Sequence, residues 1–373
     1  MLNWRIDLQN PTSLPNTKET NKPNNYFKRL VQLTCLLAVV VIVLGAYTRL
    51  SNAGLGCPDW PGCYGFLSVP HADQVPPELG LLETGKAWKE MIHRYFAGSL
   101  GILILMIFIS SLRLKSYHST RALCTILLLL VLFQATLGML TVTMSLQPLI
   151  VVGHLLGGFS VLNLIWLLLL SINTDSKNNK FTARDTIANH VDNQHYQPSN
   201  TAFIASIFVI LLVVSQIALG GWLSANYAAS FCNELPFCDG FSSDYSWQQF
   251  SFKSIWQLPV SSNYEFGVLP AEARLSIHLF HRFWAIITSL IVLTFVIKLY
   301  VNSIELHIKN CALVVVLLMV CQVLLGVMMV FWSFPIFMAL AHNLCAALLL
   351  MSLIRLSYGL NKNNNKNDQQ QGG

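Results

Sequence analysis

Eight apolar stretches set the first limit on this chain, because about 20 helical residues cross the roughly 30 Å hydrocarbon layer of a bilayer. They fall near 29–50, 89–111, 121–143, 149–171, 201–224, 275–300, 310–332 and 335–358. In lipid every backbone N–H and C=O must be bonded within its own segment, so these stretches predict helices. The expected fold is therefore an all-α integral membrane protein with eight transmembrane helices. Composition agrees: 54% of the residues are hydrophobic and 11% charged, against about 25% charged in soluble domains. The net charge of +6 is spread over loops rather than gathered in one patch. That argues for membrane lipid as the surroundings and against nucleic acid as a partner.

Lysine and arginine orient the helices. With the N-terminus inside, sixteen of the 23 lie in cytoplasmic tails and loops and five in outer loops. This bias places both termini in the cytoplasm. It puts the two long loops, 51–88 and 225–274, on the outer side, facing the periplasm or its equivalent. Trp60, Trp88, Trp247 and Trp256 in those loops suit interfacial anchoring. Residues 1–28 carry no apolar signal-peptide core and are expected to be a disordered cytoplasmic tail, as is the Asn/Gln/Lys-rich segment 359–373. A cytoplasmic linker is expected over 172–200.

The chain also repeats itself. His93, Arg94, Gln134, Gly138 and His154 recur 188 residues later as His281, Arg282, Gln322, Gly326 and His342. Matches at one offset indicate tandem duplication. Two four-helix bundles, 29–171 and 201–358, are expected to be related by a pseudo-two-fold axis along the membrane normal.

In this topology the second, fourth, sixth and eighth helices all start at the outer face. His93, His154, His281 and His342 each lie within the first turn or two of one of them. Ionisable side chains at such depth are costly and mark functional sites. Two facing imidazoles in a four-helix bundle can hold a haem iron between them. A single membrane histidine is more often a packing residue, but four at matched depth, in two repeated pairs, favour iron ligation. His71, His118, His190, His195 and His307 fall outside this pattern.

Glu90 lies one helical turn from His93, on the same face. It reads either as an acid favoured by a helix N-terminus or as an acid, base or negative charge beside a bound haem. Arg94 and Arg282 point about 100° away from their histidines, as the helical pitch dictates. A propionate partner or a link to a loop both suit them. His278 occupies the place of Glu90 in the second unit, as a cap, a propionate partner or an interfacial residue.

Each outer loop holds two cysteines with five residues between them, Cys57 with Cys63 and Cys232 with Cys238. In an oxidising compartment this spacing favours a disulfide in each loop, structural or redox-active. Neither pair has a histidine at zinc-finger spacing. Aligned on these cysteines, Gly45 and Pro61 match Gly220 and Pro236, so the repeat includes the first helix of each unit. Cys35, Cys124, Cys311, Cys321 and Cys345 are expected to be small packing residues.

Taken together, these motifs resemble the haem A synthase family. They are Gly45-Ala46-Tyr47-Thr48-Arg49-Leu50, Gly54-Leu55-Gly56-Cys57-Pro58-Asp59-Trp60-Pro61, Glu90 with His93-Arg94, Gly153-His154, His281-Arg282 and His342. The resemblance covers about 28–358. It implies an oxidoreductase that converts the C8 methyl of haem O to a formyl group by successive hydroxylations, giving haem A for cytochrome c oxidase. It further implies one haem b on His281 and His342, the haem O substrate on His93 and His154, and Glu90 beside the reacting methyl. Arg49, Arg94, Arg282 and His278 would contact propionates or hold the structure. Implied partners are haem O synthase, the assembly of cytochrome c oxidase and an electron-transfer partner; homo-oligomers are compatible. The second unit departs from the first, with Ser224 for Arg49, His278 for Glu90, and Asn233-Glu234-Leu235 for Pro58-Asp59-Trp60. A di-haem b electron-transfer cytochrome and a haem transporter or chaperone stand as alternatives.

Overall fold

The computed structural model describes residues 25–75, 81–114, 120–181, 200–232, 234, 235, 253 and 255–371, with only the backbone of 174–181 and 362–371. The described residues form eight long helices and no strands. They are α1 (Asn25–Leu50), α2 (Thr84–Arg113), α3 (Arg121–Thr143), α4 (Pro148–Phe181), α5 (Asn200–Ala225), α6 (Ala271–Asn302), α7 (Leu306–Phe331) and α8 (Ile336–Gln371). All eight are long and apolar enough to cross a membrane. The protein is a multi-pass membrane protein.

The helices exceed their apolar stretches where polar residues continue the coil. α2 begins at Thr84, where the Lys86 ammonium meets the Glu83 carboxylate at 2.9 Å. α4 and α8 carry on as helical backbone to Phe181 and Gln371, into segments expected to be linker and disordered tail. Neither extension contains Pro, and the one glycine, Gly359 of α8, weakens a helix without breaking it.

Each group of four helices closes a ring: α1 packs on α2 and α4, and α3 on α2 and α4; α5 to α8 repeat this order. The groups meet through α4 with α5, α1 with α8, and α4 with α8. Exchanging α1–α4 for α5–α8 maps this contact pattern onto itself. The corners repeat as well. Ser145 and Leu146 (φ 47° and 62°) turn α3 into α4, and Ser333 and Phe334 (φ 56° and 61°) turn α7 into α8, 188 residues later. Asn52 and Tyr227 (φ 51° and 52°) end the turns after α1 and α5. Non-glycine residues at positive φ cost about 1–3 kcal/mol each and persist only where the surroundings hold them. Here backbone bonds do so: Leu146 N–H donates to Thr141 O at 2.8 Å and Phe334 N–H to Met329 O at 2.7 Å.

The main apolar core fills only one half of the bundle thickness, the half remote from the long loops. Leu162, Ile165, Leu168 and Ile172 of α4 pack there with Leu349, Leu353 and Leu356 of α8, Val31 of α1 and Val209 of α5. Trp166 Nε1–H ties the two groups by donating to Met351 O at 3.0 Å. The other half, nearest the long loops, carries His93, His154, His278, His281 and His342.

Candidate functional site

His93 on α2 and His154 on α4 stand diagonally across the first bundle. Their ring centroids are 6.5 Å apart, at an interplanar angle of 88°. A metal–imidazole bond is about 2 Å long and the ring centre lies about 1 Å beyond, so two rings sharing one ion stand about 6 Å apart. The pair has that spacing. His281 on α6 and His342 on α8 occupy the equivalent diagonal and lie near enough to interact electrostatically. All four rings are half-buried. No three metal-binding side chains converge among the described residues. A metal held by either pair would thus take its remaining ligands from elsewhere, as a haem iron does from its macrocycle.

The helix beside each histidine is cut away to receive it. A Cβ on Gly45 would lie 2.8 Å from His93 Cε1; on Gly138, 3.1 Å from His154 Cε1; on Gly220, 3.2 Å from His281 Cε1; and on Gly326, 3.3 Å from His342 Cε1. The same device serves all four rings, one glycine to each. A glutamine sits one turn before three of these glycines. Gln134 Nε2 lies 3.0 Å from His154 Nδ1, Gln216 Nε2 3.1 Å from His281 Nδ1, and Gln322 Nε2 3.0 Å from His342 Nε2. The match of Gln134 with Gln322 was legible at the 188-residue offset. Gln216 was not singled out, although its position four residues before Gly220 carried the signal.

Glu90 is the one buried carboxylate among the described residues. Its Oε2 accepts from Cys57 N–H at 2.9 Å, and its Oε1 pairs with the Arg94 guanidinium. Arg94 also donates to the carbonyls of Asp59, Pro61 and Gly62. The outer loop is thereby clasped onto α2. Cys57 and Cys63 are joined in a disulfide, as their spacing suggested. The Asp59 carboxylate closes the loop by accepting from Tyr64 N–H at 2.6 Å and Gly65 N–H at 2.8 Å. Burial, helped by the negative charges of Glu83, Asp59 and Glu90, pushes the Tyr64 phenol above its ordinary value.

The second unit repeats the clasp. Arg282 donates to Cys232 O at 2.9 Å and to Glu234 O at 2.7 Å. Cys232 is disulfide-bonded, while Cys238 lies outside the described residues. His278, in the place of Glu90, is buried, meets the backbone at Ala228 and Ala229, and packs its ring 5.7 Å from Phe334. Arg49 crosses between the units, donating to Ser224 O at 2.6 Å and stacking 4.0 Å over the Tyr227 ring. Arg94 and Arg282 therefore contact loop carbonyls, Arg94 also meets Glu90, and Arg49 meets a helix carbonyl and an aromatic face.

Several other expectations meet the structure here. Trp60, Trp88 and Trp256 are exposed near the loops, and Trp247 lies outside the described residues. Of the helical cysteines Cys35, Cys124, Cys311 and Cys345 are buried, but Cys321 is exposed. His307 lies beside Cys311 at the opposite end from the four paired histidines. His118, His190 and His195 lie outside the described residues.

Fold and site together define a multi-pass helical membrane protein with a pair of histidines in each half, one pair accompanied by a buried carboxylate under a disulfide loop. The chain belongs to the COX15-CtaA family, described as cytochrome oxidase assembly protein, whose profile matches residues 28–354. It is 42% identical over 339 residues to a protein of Shewanella oneidensis named Heme A synthase, covering 89% of this chain and 96% of that one. A Heme A synthase of Orientia tsutsugamushi is 24% identical over 349 residues, covering 86% and 92%. One from Shouchella clausii is 28% identical over 217 residues, covering 57% and 64%.

Proposed function

We propose that this chain is a membrane oxidoreductase that converts haem O to haem A, oxidising the C8 methyl to a formyl group by successive hydroxylations. The observation that carries this is the buried Glu90 one helical turn from His93, whose ring stands 6.5 Å from that of His154. It occurs in a chain alike over 89% of its length to a named Heme A synthase. In this proposal the unit 29–171 holds the haem O substrate between His93 and His154. The unit 201–358 holds one haem b between His281 and His342, which when bound supplies one-electron relay chemistry.

The remaining tasks fall to side chains. Cys57 N–H and Arg94 engage both Glu90 oxygens, so its negative charge is oriented before substrate arrives, the condition for electrostatic stabilisation. From there Glu90 offsets positive charge developing at the methyl carbon or takes the proton of an attacking water. Arg94 and Arg282 hold the loops over the two sites, and Arg49 locks the units together. His278 gives the second unit no anion where the first has Glu90, which supports chemistry in the first unit alone. The Lys and Arg distribution supports a cytoplasmic (inner) membrane setting with both termini inside. Haem O synthase would supply the substrate, and cytochrome c oxidase assembly would take the product.

The test is pigment analysis of Glu90→Ala co-expressed with a haem O-forming enzyme. Retained haem b with haem A formation lost is the expected result. Undiminished haem A would remove Glu90 from the mechanism. Haem b alone in the unsubstituted protein would instead mark an electron-transfer cytochrome, and bound but unaltered haem O a carrier.

A further inference from the structure

Residues 60–70 of the first outer loop contain no charged side chain. A tight hairpin presents this stretch. Cys63 N–H donates to Phe66 O at 2.8 Å and Phe66 N–H to Cys63 O at 3.1 Å, closing an antiparallel bridge. Tyr64 and Gly65 between them have φ 54° and 82°, the positive pair that a type I′ turn requires. The Asp59 carboxylate braces the turn at both of its amides, and a disulfide ties Cys63 to Cys57. Yet this braced tip leaves Phe66 42% and Leu67 82% exposed.

A bond to α2 fixes where the tip lies. Tyr95 O–H donates to Leu67 O at 2.7 Å. Trp88, Ile92, Tyr95, Ile102 and Met106 are all exposed, and their helical spacing makes them one stripe, turned away from the bundle. That stripe runs along a membrane span, so it faces lipid. The helix rises 1.5 Å per residue, which puts Tyr95 about 27 Å from Arg113 near the cytoplasmic end. The hydrocarbon layer is about 30 Å thick. Tyr95 therefore lies close to its outer boundary, where tyrosine is favoured, and its ring leans toward the helix N-terminus. Leu67 is thereby brought to the outer boundary of the bilayer, on the lipid side of the bundle.

We propose that the hairpin 63–67 is an interfacial anchor that inserts Phe66 and Leu67 into the outer leaflet, with membrane lipid as the partner of this surface. Phenylalanine and leucine are side chains that interfacial segments bury at the headgroup and acyl boundary. The same loop gives Cys57 N–H to Glu90 and the carbonyls of Asp59, Pro61 and Gly62 to Arg94. The bilayer thus holds the clasp closed over the Glu90 carboxylate. This inference goes beyond the haem O reading and does not depend on it.

The test uses the full chain in phospholipid nanodiscs. Cys321, the exposed free cysteine among the described residues, is first changed to Ala. A nitroxide is then attached in Leu67→Cys or, as an aqueous control, in Asp73→Cys, where the native side chain is exposed on the same loop. The Leu67 label should relax readily with oxygen, which concentrates in lipid, and weakly with a nickel chelate, which stays in water. The Asp73 label should show the reverse. A Leu67 label as open to the chelate as the Asp73 label would overturn the proposal. A label shielded from both reagents would overturn it too, because a protein partner or a second copy would then cover the tip. Hydrogen exchange of the loop amides gives a second readout. In Leu67→Ser, opening no longer moves a leucine side chain from lipid to water, so exchange over 57–69 should quicken about tenfold or more. Leu67→Phe should keep the slow rate. Equal exchange in Leu67→Ser and the unsubstituted protein would overturn the anchor. Neither readout involves haem, so failure to form haem A would sink the functional reading and leave this one standing.

Discussion

Removing the Arg94 guanidinium tests the clasp over Glu90. Exposed i, i+4 ion pairs contribute only about 0.3–0.5 kcal/mol, whereas breaking a buried pair by deleting one partner costs about 3–5 kcal/mol. Exposure decides between these regimes. The side chains of Arg94 and Glu90 are 11% and 5% exposed, so the buried figure applies. Arg94→Leu also frees the carbonyls of Asp59, Pro61 and Gly62 from their shared donor. The expected loss is about 3–5 kcal/mol in reversible detergent unfolding. In Arg94→Leu with Glu90→Gln the buried anion is gone, so the double variant should recover part of that loss, with a coupling energy of about 1–3 kcal/mol. A loss below about 1 kcal/mol for Arg94→Leu, together with strict additivity in the cycle, would refute the argument that this pair is a buried clasp.

Gly45→Ala should be the most damaging of the four cradle substitutions, because its Cβ would meet His93 Cε1 at 2.8 Å against 3.3 Å for Gly326→Ala and His342. Overpacking of this kind costs about 1–3 kcal/mol. Haem content of the purified alanine series should fall most in the first unit. Arg49→Ala should loosen the two units by about 1–3 kcal/mol, as expected for a charged donor lost from Ser224 O together with its stacking on Tyr227. Thermal unfolding would show this, while the haem b spectrum stays as it was.

Much of this arrangement could be read from the chain. The bilayer requires long apolar stretches, so eight helices were evident, and depth together with repetition picked out His93, His154, His281 and His342. Glu90 stood out as an acid where acids are rare. What stayed hidden depends on contacts between distant elements. Arg94 and Arg282 were left between propionate and loop because backbone carbonyls carry no sequence signature. The corners at Ser145-Leu146 and Ser333-Phe334 lack the glycine or asparagine that usually announces positive φ. Gln216 escaped notice because its unit aligns with the first at 175 residues through Gly45 and Gly220, while the later helices align at 188. Helix ends were misjudged where polar residues such as Thr84-Gly85-Lys86 continue a coil that hydrophobicity alone cannot show.

The central claim is that one bundle holds a resident cofactor and the other a transient substrate. Haem identity and stoichiometry in the purified protein, made with and without a haem O-forming enzyme, test it most directly. The account predicts one haem b without that enzyme, and haem b plus haem O, haem A or a hydroxylated intermediate with it. It also predicts that His281→Ala abolishes the haem b while His93→Ala spares it. Two equivalent haem b groups under both conditions, or haem b lost on changing His93 but kept on changing His281, would contradict it.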